Sequence, residues 1–354
     1  MNFDRIALSL VIAFTAILAI TAFFNPPTGA AYALRADAPR QALEDAEPLA
    51  LPEGVTPGRR EAAIDQDLAL ASNVDAELPD FDTASGGIGG SARALSAAFG
   101  DMGYHFDKVM AGELAVPRLF LASLPGDIAK VAENKKRKAL FFRSVLPLVL
   151  QVNEEITADR KRLWKMRFRA RLGNKPDAVE RLWLEVMVDR YRIKRRNLIS
   201  DIDILIGRVD VIPPSLALAQ AAEESGWGTS RFVREGNAIF GQWTFGDDTG
   251  GLVPKDREAG KNHSIKAFAT LTDSVRAYAR NLNTHRAYRD FRKTRAVVRR
   301  QGAPLDGRLL AGRLTSYSQR GEDYVVALRG LIDSNKLSRL DDARLDAGKN
   351  GSAI

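Results

Sequence analysis

At 354 residues, with 45% hydrophobic side chains, the chain is long enough to hold one or two domains and bury a substantial core. Its formal net charge of +8 suits an anionic partner, whether nucleic acid, cell-wall polymer or lipid headgroup, without choosing among them. There is no cysteine, which excludes disulfides and thiolate metal sites, and the three histidines (His105, His263, His285) are scattered, so neither a metal nor a cofactor is expected.

The run from Ile6 to Phe24 carries no charge and is long enough to span a bilayer as a helix. Pro26 and Pro27 end it, and Ala31-Tyr-Ala33 offers a small-x-small cleavage site. Residues 1–33 therefore read as an anchor or a cleaved leader; the length of the apolar run favours the uncleaved anchor. The short N-terminal tail favours an N-in orientation, which puts the rest outside the cytoplasm and removes nucleic acid as a partner. Residues 34–90 are rich in Ala, Pro, Asp and Glu and end on Ser85-Gly-Gly-Ile-Gly-Gly90, the composition of a disordered acidic tether.

A helical region follows over 91–200. Ser91 to Lys108 reads as a loose amphipathic helix, and Val116 to Pro125 as an apolar segment between prolines. Ala139 to Arg162 predicts a long core helix kinked at Pro147. Asn153, Glu154 and Glu155 sit on it, and the two carboxylates are expected to pair with nearby Arg and Lys rather than do chemistry. Asp177 to Arg192 predicts a further helix, with Leu182, Leu184 and Met187 at near-helical spacing. Two basic stretches, 161–171 and 190–196, read as solvated helix faces, with docking on anionic membrane or wall polymer as the alternative.

Asp201 to Val209 leads into the most informative segment. Pro213 and Pro214 open a run of helix formers that closes on Glu223, Glu224, Ser225, Gly226, Trp227 and Gly228. Proline suits the first helical turn and glycine the position after the last. Glu224 is thereby delivered to a helix C-terminus beside a Trp, where the helix dipole and burial both disfavour its charge. A carboxylic acid that keeps its proton near neutral pH is what general-acid cleavage of a glycosidic bond requires. Glu223, about a hundred degrees around the helix, should face elsewhere. Trp227 is either a core plug or a wall against the acid.

Trp243 to Phe268 breaks the helical pattern with Gly246, Gly250, Gly251 and Pro254 and reads as a small β-hairpin. Helices resume at Thr272, with Thr272 or Asp273 as cap, and two or three more close the fold by about Leu340. Residues 341–354 read as a disordered tail.

Five ordered motifs resemble the glucosaminidase domain of glycoside hydrolase family 73, and within it the Bax group. They are Ala222-Glu-Glu-Ser-Gly-Trp-Gly228, Gly236-Asn-Ala-Ile-Phe-Gly-Gln-Trp243, Phe268-Ala-Thr-Leu-Thr-Asp-Ser-Val-Arg-Ala-Tyr278, Asn281-Leu-Asn-Thr-His-Arg-Ala-Tyr288 and Tyr317-Ser-Gln-Arg-Gly-Glu-Asp-Tyr-Val325. The resemblance spans residues 117–340. It implies a mostly helical, lysozyme-like α+β catalytic domain over 201–340, preceded by the Bax-type helical region.

The same resemblance makes Glu224 the catalytic acid and sets Asn237, Phe240, Gln242 and Trp243 along the glycan groove beside it. Trp227 and Tyr288 join them as expected substrate contacts. Phe240 and Trp243 offer ring faces on which a pyranose can pack, with core packing the competing role for Phe240. Family members carry a second carboxylate on the hairpin, and Asp256 and Glu258 fall in the matching region, with Asp247 and Asp248 on the earlier turn. Alternatively the N-acetyl group of the sugar acts as internal nucleophile. Tyr317 or Tyr324 is expected to orient water or bind that N-acetyl group. Tyr278, spaced helically with Val275 and Leu282, is expected to be buried with its hydroxyl satisfied. His285 and Arg286 are expected to tie helices together.

The expected activity is hydrolysis of peptidoglycan glycan strands after N-acetylglucosamine, by an endo-β-N-acetylglucosaminidase. The expected location is the bacterial inner membrane, with the catalytic domain in the periplasm, or the periplasm itself if the leader is cleaved. Two alternatives stand beside it: an N-acetylmuramidase or lytic transglycosylase, and a non-catalytic wall-binding scaffold. No protein partner is legible.

Overall fold

The computed structural model describes residues 91–245, 251–253 and 263–347. The expected anchor, the tether, the hairpin carboxylates Asp247, Asp248, Asp256 and Glu258, and the last seven residues lie outside the described residues. The chain divides into two units, residues 1–54 with 299–304 and residues 55–298 with 305–354. Of the first, only 299–304 is described: a helix end and a turn in which the Gly302 N–H donates to the Arg299 carbonyl.

The second unit is mostly helical with one small sheet. In chain order come α1 (Ala92–Asp101), α2 (Phe106–Met110), α3 (Asn134–Arg171), α4 (Ala178–Arg190), α5 (Leu198–Arg208), α6 (Pro214–Ser225) and α7 (Arg231–Gly236). Strands β1 (Trp243–Phe245) and β2 (His263–Ile265) follow, then α8 (Leu271–Thr284), α9 (Arg289–Arg300), α10 (Gly307–Ala311) and α11 (Glu322–Ser334). The strands pair antiparallel with Trp243 opposite Ile265, as the glycine-rich break in the helical pattern predicts. Among the described residues no helix is long and apolar enough to cross a membrane.

Helix α6 lies at the centre. Its residues from Pro214 to Ala222 are all buried, and α3, α10, α11 and the 3-10 turn Leu337–Leu340 pack around it. Leu216 and Leu218, fully buried here, each stabilise the fold by about 1.5–3 kcal/mol. Such a helix is apolar all round because it has no solvent face to keep polar. Only its last turn, with Glu223 and Glu224, reaches partial exposure.

The start of α6 and the segment leading into it are fixed by polar contacts. Pro214 occupies the first turn, where its missing N–H leaves no hydrogen bond unmade. The Asp341 carboxylate accepts from the Ser215 N–H (2.8 Å) and hydroxyl (2.8 Å) and from the Gly307 N–H (3.0 Å), clasping the starts of α6 and α10. Gly307 is required there, because a Cβ would sit 2.1 Å from Ser215 Oγ. Just upstream of α6, Arg295, 1% exposed, donates to the carbonyls of Arg208, Asp210 and Val211 and to Asn283 Oδ1. Asn153 adds two hydrogen bonds to the backbone of Ile212.

Several sequence expectations change. Helix α3 runs on from Asn134 to Arg171 through Pro147, absorbing the first basic stretch. The segment 91–108 is two helices separated by a turn at Gly103, not one. Helix α8 is capped two or three residues earlier than expected: Thr270 is the cap and Asp273 completes its capping box. Leu182 is exposed while Leu184 and Met187 are buried, so it lies on the outer side of α4. The packed structure also continues past Leu340, since Val116 and the 344–346 segment exchange backbone hydrogen bonds (2.8 and 2.7 Å). As expected, Glu154 pairs with Arg118 and Glu155 with Arg276.

Candidate active site

Glu224 occupies the last full turn of α6, and the chain leaves that helix abruptly. Gly226, Trp227 and Gly228 all take left-handed backbone, at φ 56°, 61° and 77°. Glycine accepts this freely, whereas the Trp costs about 1–2 kcal/mol. The Ser225 hydroxyl donates to the Ala221 carbonyl and accepts from the Gly228 N–H, closing the turn. Gly228 has no room for a side chain, as a Cβ would meet Leu124 Cδ1 at 2.6 Å and Phe141 at 3.2 Å.

The carboxyl of Glu224 is held from one side. Tyr324, on α11, donates its hydroxyl hydrogen to Glu224 Oε1 at 2.6 Å. That hydroxyl in turn accepts from Gln220 Nε2 (3.0 Å), whose Oε1 accepts from the Tyr278 hydroxyl (2.8 Å). Tyr278, Gln220, Tyr324 and Glu224 thus form one directional chain. Because Gln220 supplies a donor to the Tyr324 oxygen, the only hydrogen on that oxygen points at Glu224. Gln220 is fully buried and stands one helical turn before Glu224.

Desolvation by the surrounding rings pushes the Glu224 carboxyl up from about 4.5 to about 7. The Tyr324 hydrogen bond and Arg320 oppose that rise, and neighbouring Glu223 adds to it. Glu223 turns away, as its place on the helix predicts, and pairs with Arg320 Nη1 at 2.6 Å. With Oε1 engaged by Tyr324, Oε2 is the oxygen left to carry the acid proton. It faces Gly241, where a Cβ would stand 3.8 Å away. Gly241 takes φ 57°, so this loop passes the acid with bare backbone.

The tyrosines expected here do converge. Tyr317 stacks on Tyr324 (ring centroids 5.5 Å, planes 2° apart) and reaches the Phe240 carbonyl with its hydroxyl at 3.5 Å. Tyr288 lies against Tyr317 at 5.8 Å. Burial raises the pKa of all these phenols, and the Glu224 charge adds to it, so they stay protonated donors at neutral pH. Tyr278 is buried with its hydroxyl satisfied, as expected.

Other expected contacts are committed elsewhere. Asn237 is buried at the end of α7 and donates Nδ2 to the carbonyls of Phe268 (3.2 Å) and Ala269 (3.1 Å), so it fastens a loop instead of facing a ligand. Phe240, 2% exposed, stacks on Tyr278 at 3.8 Å and 6°, the core role. Trp227 is the plug rather than the wall: its ring packs edge-on against Phe141 and Phe142 of α3, with Lys138 Nζ 4.4 Å from its centre. The rings that dry the acid come instead from α11 and the segment before it. Trp243, 37% exposed on β1, keeps a face toward solvent. The neighbouring Gln242 has a buried Oε1 without a hydrogen-bond partner among the described residues. His285 does tie elements together, its carbonyl accepting from Arg292.

Gln220 and Arg320 are not among the expected site residues, although Arg320 lies inside the motif that begins at Tyr317. Gln220 is legible only as a polar residue in an otherwise apolar helix, one turn before the acid. Among the described residues no cluster of His, Asp or Glu is arranged to hold a metal ion.

Residues 205–337 match the family model glucosaminidase, described as mannosyl-glycoprotein endo-beta-N-acetylglucosaminidase. Protein bax of Escherichia coli (strain K12) is 34% identical over 220 residues, covering 61% of this chain and 75% of that protein. No solved structure matches the chain.

Proposed function

The chain belongs to the glucosaminidase family, glycoside hydrolase family 73, and from that premise we propose that it is an endo-β-N-acetylglucosaminidase acting on peptidoglycan glycan strands. The observation that carries the proposal is Glu224: a helix-end carboxyl with a pKa raised to about 7, one oxygen held by Tyr324 and the other without a hydrogen-bond partner among the described residues. The domain is read as lysozyme-like, with the acid emerging from a buried central helix.

In this mechanism the Glu224 proton passes to the glycosidic oxygen as the C1–O bond breaks, leaving a carboxylate. The Tyr324 hydroxyl stabilises that carboxylate, and the directional chain through Gln220 means no group has to turn as charge appears. Water adds at the anomeric carbon, its proton passing to the assisting hairpin carboxylate or, where the acetamido oxygen assists, to Glu224, which is thereby reprotonated. The assisting group is a hairpin carboxylate, Asp256 or Glu258, or the acetamido oxygen of the sugar. Turnover lost in Asp256→Asn or Glu258→Gln favours the first, and turnover kept in both favours the second. Tyr317 and Tyr288 line the site as donors, and Trp243 offers a stacking face to a sugar. The apolar run Ile6–Phe24 is read as an anchor that holds the enzyme at the outer face of a bacterial inner membrane.

The test incubates the full chain and its Glu224→Gln variant with purified peptidoglycan and identifies new sugar ends by mass spectrometry. Reducing N-acetylglucosamine ends from the wild type alone are expected. Reducing or anhydro muramic ends would assign a muramidase or transglycosylase instead. Wall binding by both proteins without release of fragments would assign a scaffold.

A further inference from the structure

The positive charge of this chain is concentrated. Residues 161–200 contain 13 Lys and Arg against four Asp and Glu, a surplus larger than the net +8 of the whole chain. The segment forms the end of α3, all of α4 and the start of α5. Some of its arginines are paired, as in Arg190–Asp159 and Arg195–Glu185. Even with Asp159 and Asp203, which pair with Arg190, Arg167 and Arg171 from outside the segment, six acids face thirteen bases, and Lys161, Lys165, Lys175 and Arg181 are exposed.

The same segment exposes large apolar side chains. On α4, Leu184, Met187 and Val188 are buried, so the inner face of the helix is satisfied. Its outer side carries Val179 (71% exposed), Leu182 (64%) and Val186 (43%). These stand at i, i+3 and i+7 and make one stripe. Leu172, just past the end of α3, is likewise exposed.

We propose that this stripe and its basic surround dock on the anionic headgroup layer of a lipid bilayer. A helix with branched apolar side chains on one side and Lys and Arg around them suits the headgroup–acyl boundary: the apolar residues enter and the cations meet lipid phosphates. A polyanion such as a wall polymer or nucleic acid would satisfy the charges but offers no apolar phase for Val179, Leu182 and Val186. A second copy of the chain would bring like charges together. The surface lies on α4, which supplies none of the residues described around Glu224, so the proposal goes beyond the hydrolase reading and does not depend on it. It also differs from the expected anchor at residues 6–24, which would insert regardless of lipid charge.

The test exploits the absence of cysteine. Full-length Leu182→Cys carries an environment-sensitive fluorophore and is reconstituted in vesicles of phosphatidylcholine alone or mixed with phosphatidylglycerol. Val326→Cys is the control, since Val326 is also apolar and 67% exposed but sits on α11. A blue shift is expected at position 182 in the phosphatidylglycerol vesicles only, reversed by salt, with none at 326. Reversing Lys161, Lys165 and Lys175 to Glu should raise the phosphatidylglycerol fraction needed for half the shift by about tenfold or abolish the shift. No shift at 182, an equal shift at 326, or a shift unaffected by lipid charge would overturn the proposal. A shift produced equally by soluble polyphosphate would assign the surface to a polymer.

Discussion

Replacing Glu224 by Gln should remove activity and stabilise the protein, with the stabilisation appearing only as pH rises. The folded carboxyl titrates near 7 and its ordinary value is 4.5. The folded state therefore binds this proton more tightly than the unfolded chain does. Stability contributed here is present below about pH 4.5 and is lost as pH climbs through 7. At about 1.4 kcal/mol per unit, the ionised side chain costs the fold about 3 kcal/mol once titration is complete. Gln keeps an oxygen for the Tyr324 hydroxyl and carries no charge. Urea unfolding of both proteins at pH 4 and pH 8 measures the difference. The two should match at pH 4, and the variant should be about 2–3 kcal/mol more stable at pH 8. Asp341, whose carboxyl burial pushes up to about 6, titrates in both proteins and cancels. A variant no more stable than wild type at pH 8, or a gap that does not change with pH, would refute the account of a desolvated acid.

Other consequences follow from the same geometry. kcat/KM should fall tenfold per unit above about pH 7, because only protonated Glu224 can donate; a profile rising through pH 8 would contradict this. Tyr324→Phe removes the hydrogen bond that favours the carboxylate, so the alkaline limb should move to higher pH while kcat drops about tenfold or more, read from pH–rate profiles. Gly228→Ala puts a methyl 2.6 Å from Leu124 at φ 77° and should lower stability by about 2–4 kcal/mol in urea titration, with no change in pH profile in the residual folded protein. Asp341→Ala unclasps the starts of α6 and α10 and should cost about 2–3 kcal/mol at pH 5, less at pH 8, where the wild-type carboxylate is itself penalised.

What the sequence makes legible is what local chemistry punctuates. Pro213, Pro214 and Gly226 bound a helix, so the place of Glu224 at its end follows from the residue types alone. The two-stranded sheet is visible from a cluster of glycines and a proline, Gly246, Gly250, Gly251 and Pro254, that interrupts the helical pattern. Contacts reached across the fold are not legible. Tyr324 can be suspected as a partner of the acid, but not distinguished from Tyr317, because the direction of the hydroxyl depends on Gln220 and on how α11 packs against α6. Asn237 and Phe240 look like groove residues in a motif, yet both turn inward: a left-handed helix end needs its amide to fasten the next loop, and Tyr278 supplies a stacking partner from α8. Leu182 fits the α4 period within one residue, and that one residue moves it from core to surface.

The placement of Trp227 limits how far this chain can be cut down. Its ring is wedged between Phe141 and Phe142, and the adjoining Gly228 lies under Leu124 and Phe141, so the exit from α6 is built on residues that precede the family match at 205–337. The Leu271 N–H, at the start of α8, also donates to the Ala122 carbonyl. A fragment beginning at 205 would leave Trp227 without its socket and the acid's helix without a floor. It should precipitate or bind hydrophobic dye, whereas a fragment beginning at Ser91 retains every one of these contacts. The helical region before the catalytic segment is therefore an integral part of the scaffold, and recombinant design should keep the two together.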